Sequence, residues 1–344
     1  MPTLQMPLNF SATETHCIDQ LNRPLHDVRI SLTDQCNFSC PHCKPTKQSQ
    51  SLGKKKQLIS FDEILRISKI LIDLGVKKIR LTGGEPLLYK NLSFLIKQLK
   101  ALGIEDLALT TNGYLLSDQA IQLKKSGLDR ITVSLNSLDE KIYKKMTGGF
   151  GSPQNVLSGI TSCEQAGFSS LKINVLVKKG MNESEIIPIV RYFRNTKHIV
   201  RFIEYMDVGT ENNWSEKDVI SSINILRKIH ETFPVAPLEQ NYRGEVARRY
   251  AYKNGKGEIG FISSISQPFC QDCNRLRLSS GGELYTCLFA ENAFDLKKHL
   301  HKNNAELFKV LQNIWNKRED QYSEMRFCAN NKNRNKIEMY RIGG

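Results

Sequence analysis

Between residues 27 and 210 this 344-residue chain alternates extended and amphipathic segments, and that alternation constrains its fold more than any other feature. Asp27-Val28-Arg29-Ile30-Ser31-Leu32-Thr33 combines β-branched and apolar residues and reads as a strand. Residues 62–74 then put Ile64, Ile67, Leu71 and Leu74 on one helical face, and Gly75 stops the run. The unit recurs. Strands are expected at 77–82, 106–111, 129–135, 171–178 and 199–206, with helices near 91–102, 117–126, 139–146, 153–166 and 183–195. Six strand–helix units in this order predict a parallel sheet with helices outside it, because each crossover must return over a sheet face. Six units suit a partial, open version of the (β/α) barrel, in which chemistry gathers at the C-terminal ends of the strands.

Polar and glycine-rich segments fall at those ends: a cysteine loop after the first strand, Gly83-Gly84-Glu85-Pro86, Thr110-Thr111-Asn112-Gly113, Ser134-Leu135-Asn136 and Met206-Asp207-Val208-Gly209. Each alone is ordinary turn chemistry. Their shared location points to one site facing them all. Beyond residue 210 the pattern changes, with helices expected near 216–232, 293–301 and 304–316 and strand-like runs at 246–252 and 258–263. The chain thus divides into an N-terminal leader (1–26), a barrel (27–210) and a C-terminal part (211–344).

No apolar run approaches the ~20 residues of a membrane span, and the N-terminus lacks the basic-then-apolar order of a secretory signal. A cytoplasmic protein is expected, with no membrane contact. The formal charge of +14 favours an acidic partner, such as nucleic acid, anionic lipid or a polyphosphate substrate. No nucleic-acid module is recognisable, so no nucleic-acid partner is expected.

Six of the nine cysteines fall in two triplets, Cys36, Cys40, Cys43 and Cys270, Cys273, Cys287. A structural zinc site takes four protein ligands, usually in pairs. His42 is a fourth donor in the first triplet, but its place beside Cys43 makes a shared tetrahedron awkward. Three thiolates on a four-iron cube would instead leave one iron open to a small molecule. Arg29, Arg80 and Lys172 lie on barrel strands, an expensive place for charge unless an anion is present. Arg275 and Arg277 follow the second triplet, and arginine forks bind phosphate oxygens bidentately.

Cys36-x3-Cys40-x2-Cys43 resembles the signature of the radical S-adenosylmethionine (SAM) enzymes, and Gly83-Gly84-Glu85-Pro86 resembles their second. Asp34 to Phe38, Lys78 to Pro86, Leu109 to Gly113, Arg201 to Met206, the second triplet and the terminal Gly343-Gly344 are similar to the branch of that family in molybdenum cofactor (molybdopterin) biosynthesis. This likeness runs from about residue 20 to the end.

The resemblance implies a partial (β/α)6 radical-SAM barrel with a C-terminal iron–sulfur cluster domain. It implies two 4Fe-4S clusters, on Cys36, Cys40 and Cys43 and on Cys270, Cys273 and Cys287, with S-adenosyl-L-methionine as the further cofactor. The implied activity is a lyase reaction on GTP. A 5′-deoxyadenosyl radical takes the ribose 3′ hydrogen, and C3′ then bonds to C8 of guanine.

Carried over by position, His42, Gly84, Ser134 and Met206 contact SAM, although the family usually has tyrosine where this chain has His42. Arg29, Arg80, Thr110, Lys172, Arg275, Leu276 and Arg277 contact GTP, and Gly343 and Gly344 join Cys36, Cys40 and Cys43 at the catalytic centre. Implied partners are a reductant protein and a downstream cyclic pyranopterin monophosphate synthase, with a homodimer among the options for assembly. The rivals are a two-cluster enzyme that modifies peptides and a zinc-bearing nucleic-acid binding protein.

Overall fold

The computed structural model describes residues 17–43, 58–254, 257–328 and 336–343. The expected alternation is present. β1 (Asp27–Ser31), α1 (Phe61–Asp73), β2 (Lys78–Thr82), α2 (Leu92–Ala101), β3 (Asp106–Thr111), α3 (Leu116–Lys125) and β4 (Arg130–Ser134) follow one another. α4 (Glu140–Thr147), α5 (Pro153–Gln165), β5 (Lys172–Val177), α6 (Ile186–Phe193) and β6 (Ile199–Glu204) complete the six units. Helix starts are set locally. Ser60 accepts from the Glu63 amide at 3.2 Å while Glu63 accepts from the Ser60 amide at 2.6 Å, a reciprocal cap that begins α1.

The C-terminal part adds α7 (Ser222–Thr232), β7 (Val235–Leu238), β8 (Arg248–Tyr252), β9 (Glu258–Ile262), β10 (Arg275–Leu278), β11 (Glu283–Tyr285) and β12 (Phe294–Asp295). α8 (Asn304–Asn316), α9 (Tyr322–Met325) and α10 (Met339–Ile342) end the chain. Among the described residues the twelve strands form one sheet in the order β12-β11-β10-β1-β2-β3-β4-β5-β6-β9-β8-β7. β10 pairs parallel with β1, and β9 pairs parallel with β6. The C-terminal part therefore extends both edges of the six-stranded core, which gives the partial barrel its second cysteine triplet on the β1 side.

Two expected helices are corrected. Residues 216–232 hold only a 3-10 turn at Glu216–Asp218 before α7, because Val219 leaves the helix to bridge Lys178. Residues 293–301 begin as β12, which pairs with β11, and continue as a 3-10 turn at Leu296–His299 capped by the Asp295 side chain. The short strands β7, β10, β11 and β12 lie outside the strands expected from sequence. Pro237 in β7 is accommodated because that strand is the sheet's edge.

Among the described residues one large apolar core packs the sheet and its helices, beside a small cluster around Phe289. Cys17, Leu25 and Trp315 belong to the large core, and Arg23 is buried too, so the 17–25 segment packs into the fold. Among the described residues no helix is long and apolar enough to cross a membrane.

The seam between β1 and β10 depends on Leu276, which is 1 % exposed and packed in the core. Leu276→Ala is expected to cost ~2–5 kcal/mol of stability by cavity formation, read by chemical denaturation. A loss below ~1 kcal/mol would mean that the seam is not closely packed.

Candidate functional site

The first triplet lies on the loop that leaves β1. The Phe38 amide donates to the Cys36 sulfur at 3.4 Å, and the Cys43 amide donates to the Cys40 carbonyl at 3.0 Å. Phe38 is buried between Phe150 and Tyr114, which anchors the loop's apolar side. Burial, with Cys43 and Cys36 adding like charge, pushes the Cys40 thiol well above its ordinary range, so the three sulfurs form one electrostatic group. Burial and then Lys178 push His42 down to about 4, leaving its imidazole neutral at neutral pH.

The second strand end is bonded directly to this loop. The Gly84 amide donates to the Thr33 carbonyl at 2.7 Å, and that of Glu85 donates to the Gln35 carbonyl at 2.8 Å. A Cβ at Gly84 would sit 2.1 Å from the Gln35 carbonyl oxygen, so only glycine permits this approach. Glu85 carries the contact onward, accepting from the Thr111 hydroxyl at 2.7 Å and the Asn112 amide at 2.8 Å. Burial pushes Glu85 up to about 7 against these bonds. Three strand ends are thus joined through Gly84 and Glu85, by backbone amides toward β1 and by the Glu85 carboxyl toward β3, a role that sequence reasoning missed although the motif was in view. Ser134 is half-buried at the end of β4.

Behind these ends lies a cavity lined by Arg29, Arg80, Thr110, Lys172, Arg275 and Arg277, and also by Met206, Cys270, Cys273 and Cys287. The sequence-predicted substrate residues thus meet, with one exception. Leu276 alternates to the core face of β10, so only its backbone is available on the cavity side. Gly343 reaches the same region. Arg277 donates to the Gly343 carbonyl, and a Cβ at Gly343 would overlap the Thr82 methyl at 2.2 Å. Gly344 lies outside the described residues.

Register explains the cavity's charge. Arg29 stands opposite Arg277 on one side and Arg80 on the other, so three guanidinium groups share one row across β10, β1 and β2. Burial, and then Arg277, Arg275 and Arg80, hold Arg29 well below its ordinary value. Burial, followed by Arg201, lowers Lys172 to about 7. Like charges directly opposite each other destabilise a sheet, and buried cations need an anion. Lys78 and Arg201 line the cavity too. Each is a charge on a barrel strand, the signal that marked Arg29, yet neither was singled out. Nine cationic side chains line the cavity against four carboxylates, Asp27, Glu245, Glu258 and Asp320.

The second triplet closes the other wall. The Cys273 amide donates to the Cys270 carbonyl at 3.1 Å, and the Phe289 amide donates to the Cys287 sulfur at 3.4 Å. Burial pushes Cys273 up, but Arg275 and Arg318 outweigh it and bring the thiol down to about 6, favouring thiolate. Met206 packs with Cys287 and Leu288 around Phe289, joining the exit of β6 to the second triplet.

None of the six cysteines is in a disulfide. Among the described residues no three His, Cys, Asp or Glu side chains converge tightly enough to hold a single metal ion. An iron–sulfur cube needs less convergence, because each thiolate takes a different iron. Two all-thiol triplets, each supplied with amide donors to a sulfur, fit such clusters.

Comparison with known proteins agrees with this geometry. Residues 30–193 match the model of the Radical SAM superfamily, and residues 198–324 match that of Molybdenum Cofactor Synthesis C. A GTP 3′,8-cyclase of Xanthomonas campestris pv. campestris (strain B100) is 47% identical over 329 residues, covering 95% of this chain and 97% of the relative. The namesake enzyme of Acidothermus cellulolyticus is 43% identical, covering 90% and 88%, and that of Staphylococcus saprophyticus is 42% identical, covering 95% and 98%. Among solved structures, Streptococcus suis SuiB bound to S-adenosylmethionine matches with a TM-score of 0.62 at 16% identity, covering 89% of this chain and 69% of that one. That likeness concerns the fold.

Lys172 gives the cavity a pH dependence. It is cationic below about 7 and neutral above. A bound polyanion stabilises the charged form, so binding takes up a proton once the pH exceeds 7. Affinity for inorganic tripolyphosphate should therefore fall by about tenfold per pH unit above 7 until the bound-state pKa is reached. Calorimetry across pH 6.5–8.5 reads this (~two units), and Lys172→Arg, whose charge persists, should flatten the profile. A wild-type profile as flat as that of the variant would remove Lys172 from the anion site.

Proposed function

This chain belongs to the Radical SAM superfamily and, within it, to the GTP 3′,8-cyclases, and we propose the way its residues carry out that reaction. The enzyme converts GTP to (8S)-3′,8-cyclo-7,8-dihydroguanosine 5′-triphosphate in molybdenum cofactor biosynthesis. Its cofactors are two 4Fe-4S clusters and S-adenosyl-L-methionine. The first cluster and SAM, when bound, supply a 5′-deoxyadenosyl radical that abstracts hydrogen.

Everything else falls to positioning. The observation that carries the reading is the row Arg277–Arg29–Arg80, a run of like charge lining the cavity that Cys270, Cys273 and Cys287 also line. These arginines, with Arg275, Lys172 and Thr110, take the triphosphate. Arg80 is oriented for this by the hydroxyls of Thr110 and Thr132, each at 3.0 Å. Cys270, Cys273 and Cys287 hold the second cluster at the guanine end, and Cys36, Cys40 and Cys43 hold the first at the ribose end. Anchoring GTP at both ends holds C3′ within reach of C8, so the intramolecular ring closure is favoured by orientation.

His42, Gly84, Ser134 and Met206 contact SAM in this reading, with His42 contributing through its backbone in place of the family's tyrosine. Gly343, whose carbonyl Arg277 holds, sits against the substrate in this reading, and Gly344 shares its catalytic role. Leu276 contributes its backbone. Functionally, residues 27–210 form the radical barrel, 211–344 the second-cluster and substrate part, and 1–26 the leader. A reductant protein supplies electrons, and a cyclic pyranopterin monophosphate synthase consumes the product. The enzyme works in the cytoplasm, and a homodimer is its proposed assembly.

An anaerobic reconstitution with iron and sulfide tests the reading. Supplied with SAM, reductant and GTP, the enzyme should form 5′-deoxyadenosine in a GTP-dependent manner; formation indifferent to GTP would refute the residue roles. Arg277→Ala should weaken GTP binding by about 10- to 100-fold, the equivalent of roughly 1.5–3 kcal/mol for a lost charged hydrogen bond. Its iron content should stay at the wild-type level. Loss of iron together with GTP binding would assign Arg277 a folding role instead.

A further inference from the structure

Asp19 and Arg23 belong to the segment read from sequence as a polar leader, yet both are buried. They meet Arg318, which follows α8, directly behind the second triplet. Arg23 Nη1 donates to the carbonyl oxygens of Cys270 at 2.7 Å and Asp320 at 2.8 Å. Arg318 Nη1 donates to the Cys273 carbonyl at 2.5 Å and to Asp19 at 3.2 Å. Both ends of the Cys270–Cys273 turn are therefore held by guanidinium groups. Arg23 Nε is fixed by Asp19 at 2.6 Å, and Arg318 Nε by Asp320 at 3.3 Å. Trp315 supports the arrangement, donating to the Arg23 carbonyl at 3.0 Å with its ring 4.6 Å from the Arg318 guanidinium.

As a set, Arg23, Arg318, Asp19 and Asp320 are formally neutral. Two members, Arg318 and Asp320, also line the cavity that Cys273 and Cys287 face. Reduction of an iron–sulfur cluster adds negative charge, so its potential responds to net charge and hydrogen bonding close by. We propose that Arg318 is a positioning residue of the second cluster: it fixes the Cys270–Cys273 turn and, balanced by Asp320, sets the reduction potential. This rests on the reading of the second triplet as a cluster site. Removing the Arg318 charge leaves one net negative charge beside the sulfurs and disfavours reduction. Removing the Asp320 charge leaves one net positive charge and favours it. A purely structural clamp would not give shifts of opposite sign.

The test uses the full chain with Cys36→Ala, Cys40→Ala and Cys43→Ala, reconstituted with iron and sulfide so that only the second triplet is loaded. Iron per chain is measured, followed by a redox titration monitored by electron paramagnetic resonance, without GTP. Arg318→Gln should shift the midpoint to more negative potential and Asp320→Asn to more positive potential. Unchanged midpoints, or shifts of the same sign, would overturn the proposal. If Arg318→Gln loses its iron, Arg318→Lys decides. Recovered iron at the parent potential upholds the role of the charge, and loss of iron there too overturns it. A parent chain that takes up no iron would overturn the cluster reading itself, and this inference with it.

Discussion

Three arginines in one row of a parallel sheet are the constraint around which the rest is built. Arg277, Arg29 and Arg80 come from β10, β1 and β2, and the register leaves them side by side with no carboxylate between them. Asp27 is the nearest strand acid, but it stands opposite Arg275 and Lys78 and is bonded to Lys78 at 3.0 Å. Such a row costs stability in the absence of ligand. The core under the sheet bears that cost, and a triphosphate removes it. Stability given up at a site is returned as binding energy for the group that completes it.

The row also explains the chain's connectivity. β10 lies about 250 residues beyond β1 in sequence, yet it supplies one of the three arginines and carries the second triplet to the cavity wall. The last turn then returns to the same place. Glu338 accepts from the Thr210 amide at 2.8 Å, and Lys336 pairs with Asp207 at 3.1 Å, so the tail is tied to the exit of β6 before Gly343 meets Arg277. The second triplet, the arginine row and the chain end thereby meet at one cavity, which suits a reaction that must exclude competing hydrogen donors.

The six strand–helix units were legible because their periodicity is local and most of their helices end at a glycine. Both triplets were legible because their spacing is compact. What stayed hidden was register. Nothing near Arg29 in sequence reveals that Arg277 is its neighbour, and β10 and β11 are too short to announce themselves by alternation. Lys78 and Arg201 carried the same signal as Arg29, a charge on a buried strand, and were passed over because single charges have ordinary explanations. Glu85 was seen as part of a turn, and its link to Thr111 and Asn112 needed three dimensions. Asp19 and Arg23 give no local sign of burial for a simpler reason: polar composition suggests exposure, and here Asp19 pairs with Arg23 while Arg23 and Arg318 hold two cysteine carbonyls.

If GTP binds in the cavity as proposed, its ribose presents C3′ to the radical. Turnover of GTP deuterated at C3′ tests this most directly, with mass spectrometry of the 5′-deoxyadenosine formed. One deuterium should be transferred into that product, and none from GTP deuterated at C2′. Unlabelled 5′-deoxyadenosine from the 3′-deuterated substrate, or label arriving from another ribose position, would contradict it.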